Sequence, residues 1–372
     1  MNRLFPFWKA LALFALSCLM AVPAWATPAF ARKQQLACPV CHSTFPELNE
    51  TGRAFKTNGY RFPDGKPGEG VQVTGMDLGS GFVLDPFPGI AVRVESQPIT
   101  LAPDAKGNMG LSSTPLDSAE LIMGGSNGKH WSYWAEIQSA ADSGYIPAGN
   151  GIIEYRAMKE LEAYVGWTPP FSRDPYNAIS ESRRIDHVDH AAQDYTGSTG
   201  VSISDEAGEF GAFGEVGPLY YNVAITPGPG VLPGTTDPLD YFGRVEYNIT
   251  KKVGVGGYVF AVNTNGGNTV RPALDFNALT DFGTFKAMGQ YDTADSAVAV
   301  EGGWDESIQE KGFWVIPQAR VDATIVGGST LVTPLVGVGL QASAGRVSIE
   351  ISDPLGGGNT MPSTTLFVDG LF

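Results

Sequence analysis

Cysteine is almost missing from this chain. Only Cys18, Cys38 and Cys41 occur in 372 residues, and so few thiols cannot staple a chain of this length, which excludes a disulfide scaffold. Histidine is nearly as scarce, with four residues. With no nucleophile–base cluster beside them, no constellation for hydrolysis or group transfer is present. Positive charge is in deficit: 24 Lys and Arg stand against 39 Asp and Glu, a formal net charge of −15. Such an excess argues against a nucleic-acid surface. Past the first residues there is also no apolar run of the length a transmembrane helix needs.

The beginning of the chain, MNRLFPFWKALALFALSCLMAVPAWA, has a basic start at Arg3 and Lys9, an apolar stretch, and a small-x-small ending at Ala24 and Ala26. That is the pattern of a cleaved export signal over residues 1–26, with the mature chain expected to start at Thr27. Lipidation at Cys18 is the alternative, but Ala15-Leu16-Ser17 is a poor approach to such a cysteine. Loss of Arg3 and Lys9 takes the formal charge from −15 to −17 and leaves Cys38 and Cys41 as the only cysteines.

Those two stand in ACPVCHSTFPELNETGRAFKTNGYRF. Cys38-Pro39-Val40-Cys41-His42 is C-x-x-C-H, in which two thiols add to haem vinyl groups and the adjacent histidine reaches the iron. One turn of backbone must supply all three, hence the spacing. A local disulfide would not require the histidine, and a zinc site lacks a second ligand pair nearby. The following residues predict a short helix that covers the haem. Thr44 is its candidate N-cap, Pro46 suits the first turn, Glu47 suits the dipole, and Gly59 stands at the C-terminal end. Leu48 and Phe55 would share a face, with Gly52 admitting a flat ring close to the backbone. Arg53 and Lys56 are candidate partners of the haem propionates, a plain solvated face being the alternative. For the second axial ligand, Met76 is the nearest thioether, with an open position or His130, His187 or His190 as alternatives.

From about residue 79 the text changes to alternation over about ten residues, broken by Gly, Pro, Asn and Asp clusters. In DYFGRVEYNIT, Tyr241, Val245, Tyr247 and Ile249 fall on one face, opposite Arg244, Glu246, Asn248 and Thr250. RVSIEIS and GFWVIPQARVDATIV repeat the pattern. A soluble antiparallel sandwich with one wet face would also alternate. Aromatic residues at strand ends (Trp131, Tyr133, Trp167, Tyr221, Tyr241, Phe313), charges on face after face, and the terminal Phe372 favour an outer-membrane barrel. About 14 strands are expected, within a range of 12 to 16. A barrel that wide must enclose a channel or a plug.

Two polar stretches stand out. PPFSRDPYNAISESRRIDHVDHAAQDYTGSTG, from Pro169 to Gly200, is too long for a turn. Its Arg173, Arg183, Arg184, Asp186, His187, Asp189 and His190 read as a loop folded into the lumen, with a transition-metal site or a surface loop as alternatives. GWDESIQEKG, with Asp305, Glu306 and Glu310, reads as an acidic hairpin end, alternatively a loop tip gathering cations outside the cell.

Taken in order, the export signal, the single C-x-x-C-H with its short helix, and the alternating strands to a terminal Phe resemble the outer-membrane monohaem cytochrome-porin fusions of iron-oxidising bacteria. The resemblance implies an all-β fold: an antiparallel outer-membrane barrel over residues 79–372, with residues 27–78 as an α-helical haem segment that plugs it. It further implies one covalent haem c held by Cys38 and Cys41, with His42 on the iron. Its expected partners are outer-membrane lipid, extracellular iron or another redox donor, and a periplasmic cytochrome or copper protein. Function would then be passage of electrons across the outer membrane, with possible iron:cytochrome oxidoreductase activity. Two other classes stay open: a solute porin with a structural or regulatory haem, and a soluble periplasmic cytochrome built on a β-sandwich.

Overall fold

Alternation over ten residues dictates extended chain, and the strands it forms close into one ring. The protein is seen in a computed structural model that describes residues 30, 36, 38–44, 47–62, 76–77, 83–84, 89–104, 107–127, 129–141, 144, 148–175, 190–227, 238–264, 267–310, 313–342, 345–356 and 362–371. Residues 1–26, read above as an export signal, lie outside them, as does Phe372.

Among the described residues the ring has 16 strands. They are β1 Gly89–Pro103, β2 Met109–Asn127, β3 Trp131–Ala140, β4 Ala148–Met158, β5 Leu161–Thr168, β6 Ala207–Val216, β7 Leu219–Thr226 and β8 Asp240–Thr250. The second half comprises β9 Val253–Thr264, β10 Gly267–Thr280, β11 Gly283–Asp292, β12 Ala297–Asp305, β13 Phe313–Val326, β14 Ser329–Ala342, β15 Gly345–Ser352 and β16 Ser363–Leu371. Each pairs antiparallel with its sequence neighbours. The ring closes where β16 pairs with β1, with Leu366 opposite Ile99 and Gly370 opposite Val94. The count stands at the top of the expected range. Prolines inside strands, such as Pro98, Pro272, Pro317 and Pro334, blur single-strand signals, since they are ordinarily confined to edges and bulges.

The two rims differ. At one, successive strands turn within a few residues, as at 159–160, 217–218, 251–252 and 281–282. The other carries the longer connections 141–147, 169–206, 227–239 and 353–362. In outer-membrane barrels short turns face the periplasm and long loops face outwards. The hairpin after β12, where Ile308–Glu310 pairs with Phe313–Val315, therefore lies on the periplasmic rim. This corrects the alternative that placed Asp305, Glu306 and Glu310 outside the cell. Trp304 on the same rim donates from Nε1 to the Phe282 carbonyl at 2.7 Å. On the opposite rim, the β13–β14 connection needs positive φ at both Gly327 (57°) and Gly328 (82°), the geometry of a tight hairpin turn that glycine adopts without steric cost.

Burial is inside out. Val223, Val245, Tyr247, Ile249, Val259, Leu274, Val336 and Ile349 are exposed, while the alternate positions Asn222, Arg244, Glu246, Arg271 and Asp275 are buried. An apolar outer surface that continues from strand to strand is stable only against lipid. The ring thus overturns the soluble sandwich, which would have packed these faces against one another. Aromatic residues band both rims, with Trp131, Tyr155, Tyr247 and Phe313 on one and Tyr241 and Tyr291 on the other.

Leu274 lies mid-strand in β10 and is 76% exposed. Replacing it with Arg is expected to lower folding stability in lipid vesicles by about 2–4 kcal/mol, the cost of a cation at the bilayer midplane. Urea titration of vesicle-folded protein measures the difference.

Candidate functional site

A 16-stranded ring encloses more space than its own side chains fill. Here that space receives two further pieces of chain. The first is the C-x-x-C-H segment, where Cys38–Val40 forms a 3₁₀ turn and the short strands His42–Thr44 and Glu47–Leu48 make a small hairpin. Helix α1 follows as Glu50–Thr57. Its N-cap is Asn49, whose Oδ1 accepts from Gly52 N at 3.0 Å. The expected cap, Thr44, instead ends a strand, and Glu47 pairs with it rather than opening the helix. Asn49 prevails because its side chain serves both sides: Nδ2 also donates to the carbonyls of Pro39 at 3.1 Å and Val40 at 3.2 Å. One residue thus caps the helix and holds the turn.

Gly52 completes that junction. A Cβ there would fall 2.1 Å from the Cys41 carbonyl oxygen, so glycine allows a close approach to that backbone. Cys41 and His42 are half-buried at this turn; the side chains of Cys38 and Met76 lie outside what the structure describes. Two cysteines and a histidine within one tight turn fit covalent haem attachment. Arg53 and Lys56 reach the wall and the inward loop. Arg53 is buried and donates from Nη1 to Asn277 Oδ1 of β10 at 3.4 Å, and Lys56 donates to the Asp174 carbonyl at 2.8 Å. Glu50 meets Lys251 in the β8–β9 turn at 2.5 Å, and Arg61 donates to the Trp131 carbonyl. The helix therefore lies against the wall near the periplasmic rim.

The second piece is the connection from β5 to β6. Its described ends, 169–175 and 190–206, fold inwards: Phe171, Asp174, Ala192 and Ile203 are buried. Phe171 and Ile203 join Phe213, Tyr220, Phe242 and Phe260 of the wall in one apolar cluster. Lumen shaping by this loop is what the sequence suggested. Arg183, Arg184, Asp186, His187 and Asp189 lie outside the described residues. His190 bridges two strands, with Nδ1 3.1 Å from Glu301 of β12 and Nε2 3.0 Å from Arg320 of β13. On the rear of the loop, Arg271 of β10 pairs with Asp292 at 2.6 Å and donates to the Thr196 carbonyl at 2.5 Å. His130 belongs to the rim, its Nδ1 2.7 Å from the Arg156 carbonyl. Among the described residues no group of three or more His, Cys, Asp or Glu is placed to hold a metal ion.

Plug, loop and wall meet at Arg173. Its guanidinium donates to Tyr60 Oη at 3.0 Å and to Glu154 of β4, which also accepts from Ser132 at 2.6 Å. Tyr60 has φ +57°, a strained value for a bulky residue. Its ring stacks on Phe30 at 4.8 Å and lies 6.0 Å from Phe55. Burial raises the phenol's pKa, with Arg173 opposing, so the hydroxyl stays protonated at neutral pH. For Arg173 burial acts to weaken the charged form, but Tyr60 and Glu154 outweigh it and hold the guanidinium charged.

No family model and no curated protein matches the sequence. Solved structures do. An anion-selective porin from Comamonas acidovorans superposes with a TM-score of 0.58 at 11% identity, over 76% of this chain and 98% of that one. The OmpF porin of Salmonella typhi, in a complex with daunomycin, gives 0.58 at 8% identity over 78% and 98%. A loop L8 deletion mutant of OmpT from Vibrio cholerae gives 0.53 at 9% identity, over 76% and 98%. In fold, the chain is a porin-like outer-membrane β-barrel.

Within this porin-like barrel, the residues that fasten the interior were partly visible in advance. Arg244 and Glu246 stood on the polar face of their strand and pair at 2.6 Å, but nothing in sequence pointed to Asp174 or Asp275 as further partners of Arg244. Tyr60 gave no signal, because its role depends on Arg173, which lies 113 residues away. Arg173→Ala should destabilise the barrel by about 3–5 kcal/mol, since it leaves Glu154 as an uncompensated buried charge; thermal unfolding in detergent measures the loss. Gly52→Ala should loosen the Cys41 turn, seen as faster amide exchange at Asn49 and Arg53, whose N–H groups bond the carbonyls of Cys41 and Asn49 at 2.9 Å each.

Proposed function

We propose that this chain is a solute pore of the outer membrane whose lumen is narrowed from within by its N-terminal segment and its inward loop. The bonded set Tyr60–Arg173–Glu154 carries the reading, because it joins plug, loop and wall at one buried point. Glu95, Glu120, Glu162, Glu209 and Glu350 occupy inward strand positions, so small cations are the solutes favoured. In planar bilayers the protein is expected to give small, cation-selective currents, and Arg173→Ala is expected to enlarge them severalfold. Equal conductance of the two proteins, with the barrel folded in both, would sink the proposal.

The turn at Cys38–His42 favours a second role for the same plug. Cys38 and Cys41 would hold one haem c, with His42 as iron ligand and Met76 as candidate second ligand. When bound, the haem supplies a one-electron carrier within the wall. The chain would then pass electrons between an extracellular donor such as ferrous iron and a periplasmic cytochrome or copper protein. The test uses vesicles that enclose an electron acceptor, with ferrous iron added outside. Reduction inside by the haem-loaded protein, lost in Cys41→Ala, supports conduction. No reduction with the haem spectrum intact rejects it for this donor.

A further inference from the structure

The wall beneath α1 gathers more carboxyl groups than cations among the described residues. Arg244 of β8 is fully buried and contacts three carboxylates: Glu246 of β8 at 2.6 Å, Asp275 of β10 through two hydrogen bonds, and Asp174 of the inward loop at 3.3 Å. Among the described residues, one guanidinium thus faces three carboxyl groups. Uncompensated charge at such a depth is costly.

The plug brings two cations to this place. Arg53 bonds Asn277 Oδ1, and Asn277 in turn donates from Nδ2 to Glu246 Oε1 at 3.1 Å. Lys56 donates to the main-chain carbonyl of Asp174, the residue whose side chain meets Arg244. These two side chains lie three apart on α1 and so share one face of the helix. Each stands one link from the carboxylate trio. Gly254 and Gly256 of β9 leave the space: a Cβ at Gly254 would fall 2.3 Å from Glu246 Oε1, and one at Gly256 would fall 2.9 Å from Asp275 Oδ1.

We infer that α1 is an autoinhibitory counter-ion: Arg53 and Lys56 complete the charge of the Asp174–Glu246–Asp275 cluster around Arg244 and thereby hold the plug in the lumen. Packing of Phe55 and Tyr60 shapes the seat, and charge balance decides whether it is filled. The inference rests on the reading of the chain as a self-narrowed pore, and it assigns to the helix cations a role apart from haem.

A charge cycle tests it in the full chain, reconstituted in lipid nanodiscs for hydrogen exchange and in planar bilayers for current. Arg53→Gln with Lys56→Gln leaves the wall negative; Glu246→Gln with Asp275→Asn leaves an excess of positive charge. Each pair alone should speed exchange of the α1 amides by about tenfold or more. All four together should return it toward the wild-type rate. Arg53→Lys with Lys56→Arg keeps the charge and should keep the protection, even if one of the neutral pairs fails to fold. Unchanged exchange in both neutral pairs, faster exchange in the charge-keeping pair, or a quadruple variant as loose as either pair, would overturn the inference. Exchange reports docking of the helix and current reports closure. If exchange follows charge while current does not, the pore reading fails and the counter-ion role stands.

Discussion

Inside a bilayer no water is available to a backbone amide, so every strand that crosses must find partners on both sides. For this chain that requirement is met by one contact, the pairing of β16 with β1. Until the last strand arrives, fifteen others carry two open edges between them. Once it does, the edges vanish, and the outer face can be as apolar as the lipid around it. All else in the molecule follows from this closure: the inversion of inside and outside, the aromatic bands at the rims, and an interior that must be filled with polar chain.

The interior is where this barrel acquires its character. An ordinary hydrophobic core is built by elements that surround it, whereas here the wall surrounds pieces of chain that enter it. Part of the lumen takes an apolar filling from Phe171 and Ile203 against Phe213 and Phe242. Elsewhere the contacts are charged, and buried charges are tolerable only when each has its opposite. Arg173, Arg244 and Arg271 are accordingly the residues around which the loop and plug are arranged. Burial of guanidinium rather than ammonium suits the task, since its fixed fork serves several acceptors at once.

Much of the wall could be read from the sequence, because period-two alternation is a local property. DYFGRVEYNIT carries its orientation in eleven residues, and the structure places Tyr241, Val245 and Tyr247 outwards as that pattern requires. The strand number was less legible, as prolines and glycines interrupt several strands without ending them. The C-x-x-C-H turn with a following helix was also legible, but the helix is capped by Asn49, five residues later than the expected Thr44. Capping is competitive, and Asn49 prevails through its bonds to Pro39 and Val40, a contact that spacing alone does not reveal. Least legible was the destination of Arg53 and Lys56. A cation on a helix face can serve a propionate, water or a wall, and the choice is set by residues more than a hundred positions away.

That separation has a bearing on how the molecule assembles. The Arg53–Asn277 bond spans 224 residues and the Tyr60–Arg173 bond spans 113. Contacts so remote in sequence form late and slowly, because the intervening chain must be ordered first. The N-terminal segment emerges before any strand exists, yet its seat is finished only when β10 has joined the sheet. Its contact with Asn277 can therefore form only once that strand is in place. A barrel that closed too early would shut its own plug out, so the order of events during insertion is as much a part of this architecture as the bonds that remain at its end.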